Sequence, residues 1–142
     1  MKKIHTKITI NREPSRVWEI LADFEKYPEW NPFIKSISGD KFRGGKLEVE
    51  LEPPKSNRMK FNPDVLAYEE NRELRWLGKL WVKGLFDGEH YLLLDDNQDG
   101  TTTFIHGENI NGILVPFVGG TLTKTRFGFE FMNLALKERC EK

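Results

Sequence analysis

The alternation of apolar and polar residues predicts a chain built mostly of strands, with helices near both ends. Residues 4–10 alternate between the two classes, which is typical of a strand with one apolar face. Pro14 suits the first turn of a helix, and apolar residues at helical spacing continue to about Ala22. We predict a second short helix that begins at Asp23 and ends at Tyr27–Pro28. Helices this short cannot cross a domain, so we expect them to close one end of a sheet.

Further strands follow one another through the middle of the chain. Period-two alternation and turn residues predict them at 34–38, 46–52, 59–67, 74–82, 89–95 and 101–111. Pro63 lies inside one of these segments and indicates an irregularity or a bulge, because proline cannot donate to a strand ladder. The segment Asp96–Gly100 favours a hairpin turn between the last two strands. The pattern therefore predicts one antiparallel sheet.

The final segment, residues 123–142, is predicted to form a long helix with apolar residues around most of its circumference. A polar stripe with helical spacing is formed by four residues only: Arg126, Glu130, Asn133 and Lys137. We therefore expect these four to be the most exposed positions of the helix. We expect Phe127 and Phe131 to face an internal space between the helix and the sheet.

Composition narrows the class of protein. The length of 142 residues favours a single domain spanning 1–142. Lys plus Arg and Asp plus Glu both number 22, so no basic surface field predicts nucleic-acid binding. The single cysteine, Cys140, excludes an internal disulfide and favours a reducing compartment, and we expect it to be inert packing. We predict no transmembrane segment, no signal peptide and a cytoplasmic location.

Several short sequence motifs, taken with the order of elements, carry a family resemblance. They are Val17–Trp18, Tyr27–Phe33, Gly88–His90, Gly100–Thr102, His106–Glu108 and Met132–Lys137. With these motifs the chain resembles the SRPBCC superfamily, also called START-like or Bet v 1-like. It is most similar to the bacterial branch described as polyketide cyclase/dehydrase-like. The resemblance covers nearly the whole chain.

The resemblance implies an α+β helix-grip fold. In that fold a seven-stranded curved antiparallel sheet wraps around a long C-terminal helix, and two short helices follow the first strand. The cavity between sheet and helix commonly takes an apolar or amphipathic small molecule, and the 10 Phe, 4 Trp and 3 Tyr supply suitable walls. We expect the apolar ligand-binding residues to be Trp30, Phe33, Phe61, Trp76, Leu92, Phe104, Phe117, Phe127 and Phe131. Residues 112–120, an apolar segment bracketed by glycines, form either a buried loop or a lid.

Three polar residues on the last two strands are the candidates for chemistry. In a simple hairpin register His90 lies opposite His106, and Glu108 shares the face of His106. Three interpretations are open. The residues could form a hydrogen-bonded structural cluster, or they could be a polar anchor for a ligand. The third interpretation is a reactive site, either for acid–base catalysis or for a metal ion held by two histidines and one carboxylate. Without a recognised nucleotide or metal motif, we expect no cofactor and no metal.

Three functions remain open from the sequence. The first is sequestration or transport of a hydrophobic or amphipathic small molecule. The second is a cyclase or lyase acting on an aromatic polyketide-like substrate, with His90, His106 or Glu108 as acid–base groups. The third is an interaction protein whose 113–118 loop meets a partner or a membrane surface. A weak homodimer also remains open.

Overall fold

The computed structural model describes residues 1–79, 87–112 and 119–142. The strands in these ranges are β1 (Lys2–Ile10), β2 (Ile34–Gly39), β3 (Leu47–Leu51), β4 (Met59–Phe61), β5 (Asp64–Glu69), β6 (Glu73–Lys79), β7 (Asp87–Asp96) and β8 (Thr102–Asn111). The helices are α1 (Pro14–Ala22), α2 (Tyr27–Trp30) and α3 (Gly119–Glu141), with a 3-10 turn at Phe24–Lys26. None of the described helices is long and apolar enough to cross a membrane.

The strands form two antiparallel sheets that together curve around α3. One sheet has the order β1-β8-β7-β6-β5 and the other the order β2-β3-β4. The strand predicted at 59–67 is interrupted at Pro63, so its halves become β4 and β5 and belong to different sheets. This break raises the strand count to eight in the described ranges, where seven were expected. The predicted α+β helix-grip architecture is confirmed.

The first short helix begins as predicted, but the second begins where it was expected to end. Helix α1 has Pro14 in its first turn and buries its apolar face, including Val17 and Leu21. Asp23 makes no side-chain cap hydrogen bond, and Tyr27–Pro28 begins α2 instead of ending a helix. Proline is tolerated there because the first N–H groups of a helix have no partner within it. The Tyr27 hydroxyl donates to the Leu21 carbonyl oxygen at 2.6 Å, which ties α2 to α1.

The β7–β8 hairpin sets the register of the residues that matter most. Its turn covers residues 97–101, where Gly100 has a φ of +89° that a side chain would strain. Asp96 pairs with Thr102, so each β7 residue lies opposite a β8 residue two positions later than the simple register predicts. His90 lies opposite Glu108 as a result, and the expectation that it faces His106 is wrong. A shift of two keeps every side chain on its predicted face.

Helix α3 packs its buried face against β1, β8 and the short helices. The buried apolar residues of that face are Phe129, Met132, Leu136 and Cys140. The ring of Phe33 occupies the space beside Gly128, where an added Cβ would lie 2.5 Å from its Cδ1 atom. A glycine inside this helix is therefore required by packing. The helix begins four residues before the predicted start at residue 123.

The rotation of α3 about its axis differs from the prediction. Asn133, expected in water, is only 3% exposed, whereas Phe127 and Phe131, expected inside, are 49% and 51% exposed. The physical reason is that β1 and β8 offer hydrogen-bond partners to the Asn133 amide, so a polar side chain is accommodated in the interior. The placement of Phe127 and Phe131 in an internal space is wrong.

Candidate functional site

The candidate site lies on the concave face of the five-stranded sheet. Neighbouring strands place Trp76 of β6, His90 of β7 and Glu108 of β8 side by side, because Trp76 pairs with His90 and His90 pairs with Glu108. His106 precedes Glu108 by two positions and therefore shares its face. The predicted grouping of the two histidines with the carboxylate is found in the structure.

Five side chains form a continuous hydrogen-bonded chain across this face, which we call the polar chain. Glu108 Oε1 lies 3.2 Å from His90 Nδ1, and His90 Nε2 lies 2.8 Å from His106 Nε2. His106 Nδ1 lies 2.9 Å from Asn133 Oδ1. Asn133 Nδ2 donates to Thr6 Oγ1 at 2.8 Å. The polar chain therefore joins three strands to α3.

A backbone carbonyl fixes the direction of these hydrogen bonds. The Thr6 hydroxyl donates to the His106 carbonyl oxygen at 2.7 Å, because a carbonyl can only accept. The Thr6 oxygen is then the acceptor for the Asn133 amide N–H. Asn133 Oδ1 is in turn the acceptor for His106, so His106 carries its proton on Nδ1. The donor and acceptor roles of Thr6, Asn133 and His106 thus all follow from this one backbone carbonyl.

Burial keeps His106 neutral. The pKa of His106 lies well below its usual value, mainly because burial disfavours the charged imidazolium and also because His90 is close. A neutral His106 protonated on Nδ1 presents a lone pair on Nε2. His90 must therefore donate its Nε2–H to His106.

His90 joins His106 to Glu108. With Nε2 of His90 donating to His106, Nδ1 is the atom that faces Glu108 Oε1 at 3.2 Å. A hydrogen bond between these two atoms needs a proton on one of them.

Aromatic rings hold both imidazoles in place. The Trp76 ring is stacked on His90 at a centroid distance of 4.7 Å and an angle of 13°. The Phe129 ring is stacked on His106 at 4.0 Å and 7°. These faces exclude water, which strengthens the hydrogen bonds between the imidazoles.

Glu108 is the member of the polar chain that reaches toward solvent. Its side chain is 16% exposed, whereas that of His90 is 2% exposed. Gly88 makes room for this carboxyl, since an added Cβ there would overlap Glu108 Oε2. Gly78 pairs with Gly88 across β6 and β7, and the Phe61 ring lies against it. The two paired glycines thus leave room for the Glu108 carboxyl and the Phe61 ring on this face of the sheet.

The geometry disfavours a metal site at the two histidines. Their Nε2 atoms, 2.8 Å apart, are hydrogen-bonded to each other, and a metal ion with bonds of about 2.0–2.1 Å to each would need them further apart. Within residues 1–79, 87–112 and 119–142, no group of three or more His, Cys, Asp or Glu side chains could hold a metal ion.

The chain is similar to a known protein family and to several solved structures. The family model described as "Polyketide cyclase / dehydrase and lipid transport" matches residues 1–140. The chain belongs to this family. A search of curated protein sequences gave no match to the chain.

Solved structures of low sequence identity share the fold of this family member. A START superfamily protein from Mycobacterium smegmatis is 21% identical, with a TM-score of 0.74 over 98% of this chain and 97% of that one. The Zhui aromatase/cyclase from Streptomyces sp. R1128 is 11% identical, with a TM-score of 0.75 over 99% and 93%. TTHA0849 from Thermus thermophilus is 12% identical, with a TM-score of 0.74 over 98% and 97%. At these identities the likeness establishes the fold.

Most of the predicted apolar site residues of this family member surround the polar chain. Leu92 and Phe104 are buried on the same concave face, and the Phe104 ring centroid lies 5.7 Å from that of His106. Phe33 lies 5.3 Å from Phe129, ring centroid to ring centroid. Phe61, whose ring lies against Gly78, also lines a surface cleft of about 350 Å³.

The remaining predicted residues lie elsewhere. Trp30 packs edge-on against Tyr27 in α2, and no hydrogen bond or ring contact joins it to the polar chain in the described part of the structure. Phe117 lies outside the described residues. Phe127 and Phe131 lie on the exposed side of α3.

Three site residues were missed by the sequence interpretation. Thr6 was assigned to the apolar face of β1, Asn133 to solvent, and Phe129 to the general apolar arc of α3. The available signal was Thr6, a polar residue whose parity in β1 places it among buried isoleucines. A buried hydroxyl needs a partner, and α3 supplies the Asn133 amide.

Proposed function

We propose that the chain binds a hydrophobic or amphipathic small molecule on the concave side of its sheet, with the ligand's polar group held by Glu108. The observation that carries this proposal is the polar chain, whose most exposed member is a carboxyl beside aromatic walls. The family description, which includes lipid transport, agrees with this proposal.

The second oxygen of Glu108 supports a ligand that donates a hydrogen bond. Oε1 is engaged by His90, whereas Oε2 lies over Gly88. A hydroxyl or phenol entering beside Phe61 meets a carboxyl oxygen at its polar end and an aromatic wall along its length. Pockets of this kind combine broad apolar walls with a few polar groups that fix orientation.

A matched pair of probes tests the role of Glu108. Fluorescence titration with 2-naphthol and with naphthalene compares ligands that differ by one hydroxyl. Glu108→Gln should weaken 2-naphthol binding about tenfold, because a neutral amide oxygen replaces a carboxylate oxygen as the acceptor, and should leave naphthalene binding unchanged. The Gln amide donates to His90 Nδ1, so the fold is retained. Glu48→Gln, at an exposed position of β3, is the control.

The outcomes separate the parts of this proposal. Equal loss of both probes in the Glu108→Gln variant would mean that Glu108 supports the fold and does not anchor a hydroxyl. Failure of the wild-type protein to bind either probe, with circular dichroism showing a folded chain, would contradict a preformed binding site.

One observation favours a second function, a cyclase or lyase acting on an aromatic polyketide-like substrate. The hydrogen bond between His90 Nδ1 and Glu108 Oε1 joins two groups that can exchange a proton, which a general acid–base step requires. Turnover of a linear poly-β-ketone that is lost in Glu108→Gln, with binding retained, would support this function. Binding without turnover would reject it.

Location and partners complete the proposal. A reducing cytoplasmic compartment agrees with the single buried cysteine, and the balanced charge gives no attraction for nucleic acid. The alternative of an interaction protein rests on the 113–118 loop, which lies outside the described residues.

A further inference from the structure

An apolar stripe runs along the solvent side of α3, which we call the outer stripe. Its members are Phe127, Phe131 and Leu134, with exposed fractions of 49%, 51% and 59%. Large apolar side chains this exposed are common singly but not in a contiguous row.

The outer stripe lies on the side of α3 opposite the core. It is not an extension of the buried face. At about 100° per residue, the stripe lies roughly 170° around the helix from Phe129 at the centre of the buried face. The spacings of four and three residues between its members follow the pattern of a seam that packs against another helix. The sequence of α3 thus provides two separate apolar surfaces, and the core covers only one.

Charges of opposite sign mark the two ends of the outer stripe. Lys124 and Glu138 are exposed and lie seven residues before and after Phe131, about 10 Å along the axis in each direction. Lys124 Nζ donates to the Lys55 carbonyl oxygen at 3.3 Å, which leaves two of its N–H groups available. Arg126, on the flank, is paired with Glu130 at 3.3 Å. The end charges are therefore the ones placed to act between molecules.

We propose that the outer stripe is a self-association surface and that its partner is a second copy of this chain. An antiparallel arrangement about a two-fold axis near Phe131 brings the two Phe131 rings together. It also places Lys124 of each protomer beside Glu138 of the other, because both residues are equally far from the axis. Such an interface is self-complementary, as a two-fold dimer requires.

The charge pattern argues for this partner over a membrane surface. Helices that lie on membranes are rich in Lys and Arg along the polar face. Here one positive and one negative residue cap the stripe, and the chain has no net charge. An antiparallel copy matches this arrangement at both ends.

A charge-swap series measured by sedimentation equilibrium tests the proposal. The wild-type chain should show a concentration-dependent monomer–dimer equilibrium. Lys124→Glu and Glu138→Lys should each weaken association about tenfold, since each places like charges at both ends of the interface. The double variant Lys124→Glu/Glu138→Lys should restore wild-type association. Lys60→Glu, which changes a highly exposed lysine on β4, is the control.

Several results would overturn the proposal. A wild-type chain that stays monomeric at millimolar concentration has no such interface. If the double variant associates as weakly as the two single variants, the contact between Lys124 and Glu138 does not hold the dimer together. Association that persists in Phe131→Asp rules out this stripe. Binding of a monomeric chain to vesicles of phosphatidylcholine and phosphatidylserine would identify the stripe as a membrane contact.

Discussion

Replacement of Asn133 by alanine tests the central contact of the site. The change removes the acceptor for His106 Nδ1–H at 2.9 Å and the donor to Thr6 Oγ1 at 2.8 Å. A buried donor left without a partner costs about 1–3 kcal/mol, and the second lost hydrogen bond adds about 1 kcal/mol. We therefore expect Asn133→Ala to lower the free energy of unfolding by about 2–4 kcal/mol.

The comparison variant is Phe131→Ala, two positions away on the same helix. Since the Phe131 side chain is half exposed, its truncation should lower the free energy of unfolding by about 1 kcal/mol. This order is the reverse of the order that the sequence predicts. Glu130→Ala, at a half-exposed position beside Phe131, controls for changes in helix propensity and should have little effect.

Urea unfolding followed by tryptophan fluorescence gives these free energies by linear extrapolation. The titrations use the lowest workable protein concentration, where self-association contributes least. A double-mutant cycle of Asn133→Ala with Thr6→Val should give a coupling energy of about 1 kcal/mol. A loss below about 0.5 kcal/mol for Asn133→Ala together with about 3 kcal/mol for Phe131→Ala would refute the rotation of α3.

Three further predictions concern single groups. Because burial holds the pKa of His106 well below 6.5, the unfolded chain takes up a proton there that the folded chain does not. The free energy of unfolding should fall by up to about 1.4 kcal/mol per pH unit as the pH drops below 6.5, and urea titrations on wild type and His106→Phe should show this component only in wild type. Burial raises the pKa of the Cys140 thiol to about 12, so a thiol reagent at neutral pH should label Cys140 only in denaturant. Gly88→Ala should displace the Glu108 carboxyl and lower the melting temperature, and it should weaken 2-naphthol binding more than naphthalene binding.

The period of the hydrophobic pattern was sufficient to place most elements. Alternation located β1, β3 and the β7–β8 hairpin because a strand with one buried face must repeat every second residue. Parity also placed His90, His106 and Glu108 on one face, although the turn shifted their pairing by two. Pro63 predicted an irregularity in the strand at 59–67. That the two halves of this strand belong to different sheets depends on tertiary packing, which the local pattern does not show.

The rotation of α3 could not be read from polarity alone. A helix with apolar residues on most sides has two candidate buried faces, and the sequence interpretation chose the one that left Asn133 in water. The correct face is selected by hydrogen-bond partners on distant strands, Thr6 and His106. Local periodicity carries no information about such partners. The strand residues of the site could therefore be predicted from the sequence, whereas the role of Asn133 could not.

The link between Thr6 and Asn133 has a consequence for the order of folding. These residues are separated by 127 positions, and β1 pairs with β8, almost as far along the chain. Contacts of such high sequence separation form slowly because much chain entropy is lost before they are made. During synthesis, His106 remains without its amide partner Asn133 until α3 has emerged. A ligand that binds at Glu108 should therefore bind only those chains in which α3 has docked. The fraction of chains with bound ligand would then measure the docking of α3.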